Sequence, residues 1–231
     1  MSLRLGSTPI TNVRLGSTDI KEIRRGSTLI WSRSNVRDDF NRADSTGLGA
    51  SWTDHGPASS PYLASVLNNY ARLNIPDGLI SLSLQTSRWR YNAAQMPSDD
   101  GYVETRVASK GDAGWDRITE VFGWLTNTSF DSGVGIRLDG SVPSIVRRVT
   151  GTETVMASGT TYAAGDVLRV RKNGTVYSLY RNGAFVTQWN DSGNTAVTGA
   201  GNRSLGVVLT GTKDTLGPRR FSAALDYVEA G

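Results

Sequence analysis

Two Asn-Gly pairs, Asn173-Gly174 and Asn182-Gly183, stand nine residues apart and constrain the fold more than any other feature of the chain. They separate stretches in which apolar and polar residues alternate: Val167-Leu168-Arg169-Val170-Arg171, Val176-Tyr177-Ser178-Leu179-Tyr180 and Phe185-Val186. Asn-Gly supplies the positive φ angles of a two-residue hairpin turn, and alternation sends successive side chains to opposite faces. The stretch predicts a three-stranded meander.

The same signature recurs along the chain. Residues 102–107, 118–125, 134–138, 145–149 and 205–209 read as further short strands, and no amphipathic helix of credible length appears. Short strands at regular spacing predict an all-β sandwich or jelly roll. The 231 residues, 38% of them hydrophobic, are enough for one large all-β core or two small ones. Phe40 and Trp52 near the start and Phe221 and Tyr227 near the end predict that the first and last strands lie side by side in one core.

Residues 1–34 differ in character. Arg4-Leu5-Gly6-Ser7-Thr8 returns as Arg14-Leu15-Gly16-Ser17-Thr18 and again as Arg24-Arg25-Gly26-Ser27-Thr28, ten residues apart each time. Gly-Ser-Thr is turn-prone, and the apolar residues that follow it, Ile10 and Val13, Ile20 and Ile23, Leu29 and Ile30, suit strands. Three short strands joined by tight turns are expected, and so small a sheet needs a partner to bury its apolar face. The segment also holds the whole charge excess: six basic residues against Asp19 and Glu22 leave +4, while the other 19 basic and 19 acidic residues cancel. Its cations are spaced rather than clustered, with no aromatic before Trp31, which points away from nucleic acid and toward a solvated or partner-facing strand edge.

The tandem phrase, closing on Ile30-Trp31, resembles the N-terminal segments of minor tail proteins of tailed bacteriophages, especially those of actinobacterial hosts. The 21 Arg against 4 Lys fit a GC-rich genome of that kind. Beyond it, Asp39-Phe40-Asn41-Arg42-Ala43-Asp44 with Leu48-Gly49 and Trp52, the twin Asn-Gly hairpins, and Leu225-Asp226-Tyr227-Val228 resemble, in that order, a concanavalin A-like jelly-roll domain. The resemblance implies residues 1–34 as a basic anchoring or oligomerisation segment, with Arg4, Arg14, Arg24, Arg25, Ile10, Ile20, Ile30 and Trp31 as its contacts, and residues 35–231 as the sandwich. That family includes lectins, laminin-G-like modules and glucanases, so the fold leaves function open.

Chemistry is sparse. With no Cys and one His, His55, neither a disulfide nor a zinc or iron site is expected, and no G-x-S-x-G elbow exists. No Glu sits in the Glu-x-Asp-x-x-Glu phrase that such glucanases carry on one strand; Asp116 and Glu120, four apart, are the pair that strand geometry best permits, and a surface strand with salt-bridge partners explains them as well. Calcium needs only oxygens, and Asp99-Asp100-Gly101 and Asp131-Ser132-Gly133 are its candidate loops, or plain turns. Sugar binding asks for an aromatic ring beside Asp, Asn or Arg. Two stretches offer that: Ser87-Arg88-Trp89-Arg90-Tyr91-Asn92 and Gly111-Asp112-Ala113-Gly114-Trp115-Asp116-Arg117. Arg88, Trp89, Tyr91, Trp115, Asp116 and Arg117 are the glycan-binding candidates, with Trp89 and Trp115 open to a core role; Trp52, Trp124 and Trp189 are expected in the core.

The sequence therefore points to a structural virion protein of the phage tail that is not an enzyme. It is made in the host cytoplasm without a signal peptide and assembles as a homotrimer with other tail proteins through residues 1–34. Its sandwich binds host cell-wall glycan. No apolar run is long enough to span a membrane. The rivals are a ligand-free architectural or decoration protein, a glycan-degrading tail enzyme, and a cellular lectin-like module.

Overall fold

A computed structural model describes residues 36–78, 82–112 and 117–231 and, ahead of them, the backbone of short strands between residues 4 and 32. Those early strands pair as three separate hairpins. β1 (Arg4–Leu5) pairs with β2 (Thr8–Pro9), β3 (Val13–Leu15) with β4 (Thr18–Ile20), and β5 (Glu22–Arg25) with β6 (Thr28–Ser32). This corrects the expectation of three single strands: each Gly-Ser-Thr repeat is a hairpin. Leu5 faces Thr8, Leu15 faces Thr18 and Arg25 faces Thr28, so two sequence positions separate the paired strands of each hairpin. Ile10 lies outside the described residues, as do the side chains of Arg4, Arg14, Ile20, Arg24, Ile30 and Trp31.

The rest of the chain forms two eight-stranded antiparallel sheets. The first runs in the order β19 (Ala184–Asn190), β18 (Val176–Arg181), β17 (Val167–Asn173), β12 (Gly101–Ser109), β22 (Ala224–Ala230), β10 (Tyr70–Leu73), β9 (Ala64–Leu67), with β7 (Val36–Asp38) also on β22. The second runs β16 (Thr152–Ser158), β15 (Pro143–Val149), β14 (Gly133–Leu138), β13 (Thr119–Leu125), β20 (Ser204–Lys213), β11 (Leu82–Tyr91), β8 (Trp52–Pro57), with β21 (Arg219–Phe221) also on β20. As the end aromatics predicted, the first strand of the sandwich lies on the last: Val36 pairs with Ala230.

The meander forms as β17–β18–β19, with one shift. Arg181 faces Ala184 across Asn182-Gly183, and both turn residues have positive φ (51° and 83°). The first turn instead spans Gly174-Thr175, because Asn173 already pairs with Val176. The two sheets close on one core. Val121, Trp124, Ile136, Ile145, Leu168, Val170, Leu179, Val207, Leu225 and Val228 are all buried in it. Of the tryptophans expected there, Trp52 and Trp124 are buried, and Trp189 packs on the core's edge with its ring stacked on Tyr177. β13 is buried along its whole length, on both faces of its sheet. Something therefore covers the second sheet's outer side as well.

Candidate functional site

Strand alternation decides what lies on that outer side. On β13, Val121 enters the core between the sheets, while Phe122 belongs to a second, small apolar cluster with Leu125, Phe130, Val146 and Val208. Glu120 shares the face of Phe122. The register then carries this face across the sheet in rows. Glu120 is opposite Arg137 on β14 and Val208 on β20, and Val208 is opposite Arg88 on β11. In the next row Arg90, Gly206, Phe122, Gly135 and Val146 follow one another, and beyond it Gly133, Arg148 and Glu153. One outward face thus holds Arg88, Arg90, Arg137 and Arg148 with Glu120 and Glu153.

The loop between β13 and β14 caps one end of this face. Thr126 N–H donates to Ser132 O at 2.9 Å, closing the loop, and Phe130 sits edge-on to Phe122 with ring centroids 5.7 Å apart. His55 of β8 lies beside Phe130, at 6.0 Å. The loop can lie this close only over a glycine: a Cβ on Gly206 would stand 2.5 Å from Leu125 Cδ2 and 2.9 Å from Phe130 Cε2.

At the centre is an ion cluster. Arg137 Nε donates to Glu120 Oε1 at 2.7 Å, and its Nη2 donates to Glu153 Oε2 at 2.5 Å. Arg148 Nη1 bonds the other oxygen of Glu153, and its Nε donates to Phe130 O at 2.6 Å. Glu120 has no exposed surface. Burial, with the carboxylate of Glu153 next to it, pushes the Glu120 carboxyl up to about 8 against the pull of Arg137. Arg137 does not win because Glu153 shares it. Glu120 is therefore harder to ionise than an exposed carboxyl.

Four buried polar atoms in and around this cluster have no hydrogen-bond partner: Glu120 Oε2, Arg88 Nε, Arg90 Nε and His55 Nε2. Buried polar atoms are paired in the great majority of cases, so four orphans gathered in one region of the sheet are unusual.

Of the six glycan-binding candidates, this face takes one, Arg88. Because Arg88 and Arg90 face outwards, Trp89 and Tyr91 between and beyond them must face inwards. Trp89 is 8% exposed and donates from Nε1 to Ser87 Oγ at 2.8 Å; Tyr91 packs edge-on to Trp52 at 5.1 Å. Neither ring is offered to a ligand, which corrects that expectation. Arg117 is 1% exposed, its Nε donating to Asp112 O at 3.3 Å, so it too is an interior side chain. Trp115 and Asp116 lie outside the described residues, and with them the Asp116–Glu120 pair. Glu120 has the salt-bridge partner foreseen for a surface strand, but it is buried. The calcium candidates Asp99 and Asp100 turn to the protein's own cations, Arg203 Nε at 2.9 Å and Lys172 Nζ at 3.2 Å. Asp131 is exposed, and among the described residues no three His, Asp or Glu side chains gather as a metal would need. Arg90, Arg137, Arg148, Glu153 and His55 were not singled out as binding residues. The alternation Arg88-x-Arg90 was the one local signal for them.

No protein-family model matches the chain, and no curated protein matches it. Solved structures do. A prokaryotic β-1,3-1,4-glucanase derived from a mouse hindgut metagenome matches with TM-score 0.55 at 9% identity, over 85% of this chain and 98% of that one. The carbohydrate recognition domain of Emp47p matches with TM-score 0.53 at 12% identity, over 85% and 94%. The fold is that of the concanavalin A-like sandwiches. An endo-β-1,3-glucanase from Pyrococcus furiosus, with TM-score 0.52 and 11% identity over 96% and 97% of the two chains, agrees. At such identities the likeness establishes the architecture and leaves the ligand to the residues.

Proposed function

We propose that the chain is a glycan-binding component of a bacteriophage tail. In this reading the sandwich meets host cell-surface glycan on the outer face of its second sheet. The observation that carries it is the pair of partly buried arginines there, Arg88 and Arg90, which make no ion pair or side-chain hydrogen bond among the described residues, with His55 near Arg90. Their guanidiniums are only partly buried, so N–H groups that still face outwards can donate to the hydroxyl oxygens of a sugar. The neighbours named as glucanases and as a carbohydrate recognition domain support the same ligand class. The proposal is of binding without cleavage, because Glu120, the most strongly perturbed acid of this face, has no surface with which to reach a glycosidic bond. The test is binding of the full chain to a panel of immobilised bacterial cell-wall glycans. Saturable binding without release of shortened sugars is expected; no binding across the panel overturns the reading.

The tail assignment rests on residues 1–34. Two-stranded hairpins are too small to be stable alone, and the segment that holds three of them in tandem carries the whole charge excess of the chain. They are proposed to join copies of this chain and neighbouring tail proteins. Light scattering of the full chain is expected to give three chain masses. One chain mass would remove self-assembly and leave only a different protein as the partner.

A further inference from the structure

Arg88 and Arg90 differ from the other arginines of the outer face. Arg137 and Arg148 are ion-paired to glutamates. Arg88 and Arg90 are both partly buried, yet neither makes an ion pair or a side-chain hydrogen bond among the described residues, and each Nε is buried without a partner. A guanidinium withdrawn from water normally has a carboxylate to meet it. The cost shows in both groups: burial and the nearby Arg148 lower the pKa of Arg88 against the weaker pull of Glu153 and Glu120, which it does not contact, and burial lowers that of Arg90. Two residues apart on one strand, they stand on the same face roughly 7 Å from each other. His55, on the neighbouring strand, adds a third partnerless nitrogen close enough to Arg90 to feel its charge. With three ion pairs made there, the face holds four guanidiniums against the carboxyls of Glu120 and Glu153. Asp54 and Asp131 act on His55 from the rim.

We propose that Arg88 and Arg90, with His55 beside them, form an oxyanion site, and that the glycan bound on this face is an acidic one, held by a carboxylate or phosphate. The site itself is argued from the unpaired cations; only the sugar as carrier of the charge rests on the glycan reading above. Guanidiniums grip such groups by paired, charge-assisted hydrogen bonds, which neutral sugar hydroxyls cannot match.

Calorimetric titration of the full chain tests this with four probes: a glucuronate-containing oligosaccharide, a glycerol-phosphate oligomer, a neutral oligoglucose, and inorganic phosphate. At least one charged oligomer is expected to bind tenfold or more tighter than oligoglucose, and to weaken as salt is raised. Which of the two binds separates carboxylate from phosphate as the source. Arg88→Gln with Arg90→Gln is expected to remove that tenfold preference, while Arg106→Gln, on the exposed face of the first sheet, retains it. Thermal unfolding of each variant checks that it is folded. Oligoglucose binding as well as the charged oligomers, unchanged in the double variant, overturns the oxyanion site and leaves glycan binding standing. Phosphate binding that needs Arg88 and Arg90, with no oligomer binding, upholds the site and overturns the glycan reading. No binding by any probe overturns the site.

Discussion

Asp38→Ala lowers the free energy of unfolding by about 1.5–3 kcal/mol, the cost of losing charge-assisted hydrogen bonds and leaving a buried indole N–H unpaired. Asp38 ends β7, and its carboxylate gathers four hydrogen bonds from three residues. Arg42 meets it at 2.6 and 3.0 Å through two nitrogens, Trp52 Nε1 donates at 2.7 Å, and Phe40 N–H donates at 2.8 Å. The same Arg42 reaches on to Leu48 O at 2.7 Å. β7 belongs to the first sheet and Trp52 opens β8 of the second, so one carboxylate ties the two layers where the sandwich begins. Without it the indole N–H is left unpaired in the core and Arg42 loses its counter-charge. Arg106→Gln is the control: its pair with Asp226 is 3.4 Å long and open to solvent, and its loss costs under about 1 kcal/mol. Urea unfolding of both variants measures the contrast. A cost below about 1 kcal/mol for Asp38→Ala would mean the clasp is not holding the layers.

The second large effect is on pH dependence. Glu120 is raised from 4.5 to about 8 in the folded protein, by burial first and Glu153 second. Between those values the unfolded chain has released this proton and the folded chain still holds it. The folded state binds more protons there, so stability falls as pH rises from about 4.5 to about 8 and is level in this group outside that window. The slope approaches about 1.4 kcal/mol per pH unit at most. Glu120→Gln removes the proton while keeping an amide oxygen for Arg137. Its expected behaviour is a flattened profile across the window, with the largest gain relative to the parent near pH 8. Chemical unfolding at a series of pH values reads this directly. An unchanged slope in the variant would place the titration elsewhere.

The fold was largely legible because its signals are local. Twin Asn-Gly turns and period-2 alternation mark the meander, and β12, β13, β14, β15 and β20 each fall on a stretch with strand character. The clasp was half visible. Phe40, Arg42 and Trp52 are in the phrase that resembles the jelly-roll opening, but Asp38, which binds Arg42 and Trp52, looked like one acid among several. Its role appears only when β7 is laid beside β8. The outer face was hidden for the same reason. Arg88, Glu120, Arg137 and Glu153 come from four strands scattered over 66 positions, and only sheet register puts them in one cluster. A tryptophan between two arginines invited the reading of an exposed aromatic platform. Alternation gives the opposite result once the inward face is known, because the ring and the cations cannot share a side. The repeat at residues 1–34 reads as strands and turns, but each copy holds two strands paired with each other, which doubles the strand count.

Where a glycan sits on the sandwich decides between the two sheets. Arginine Nε–H groups give their own signals in a two-dimensional nitrogen-15 NMR spectrum, and those of Arg88 and Arg90 are buried and partnerless in the free protein. Adding a binding glycan should shift both signals and the His55 ring while leaving Arg106 and Arg169, on the first sheet, where they were. Shifts confined to the first sheet, with Arg88, Arg90 and His55 unmoved, would contradict the assignment of the outer face of the second sheet as the binding surface.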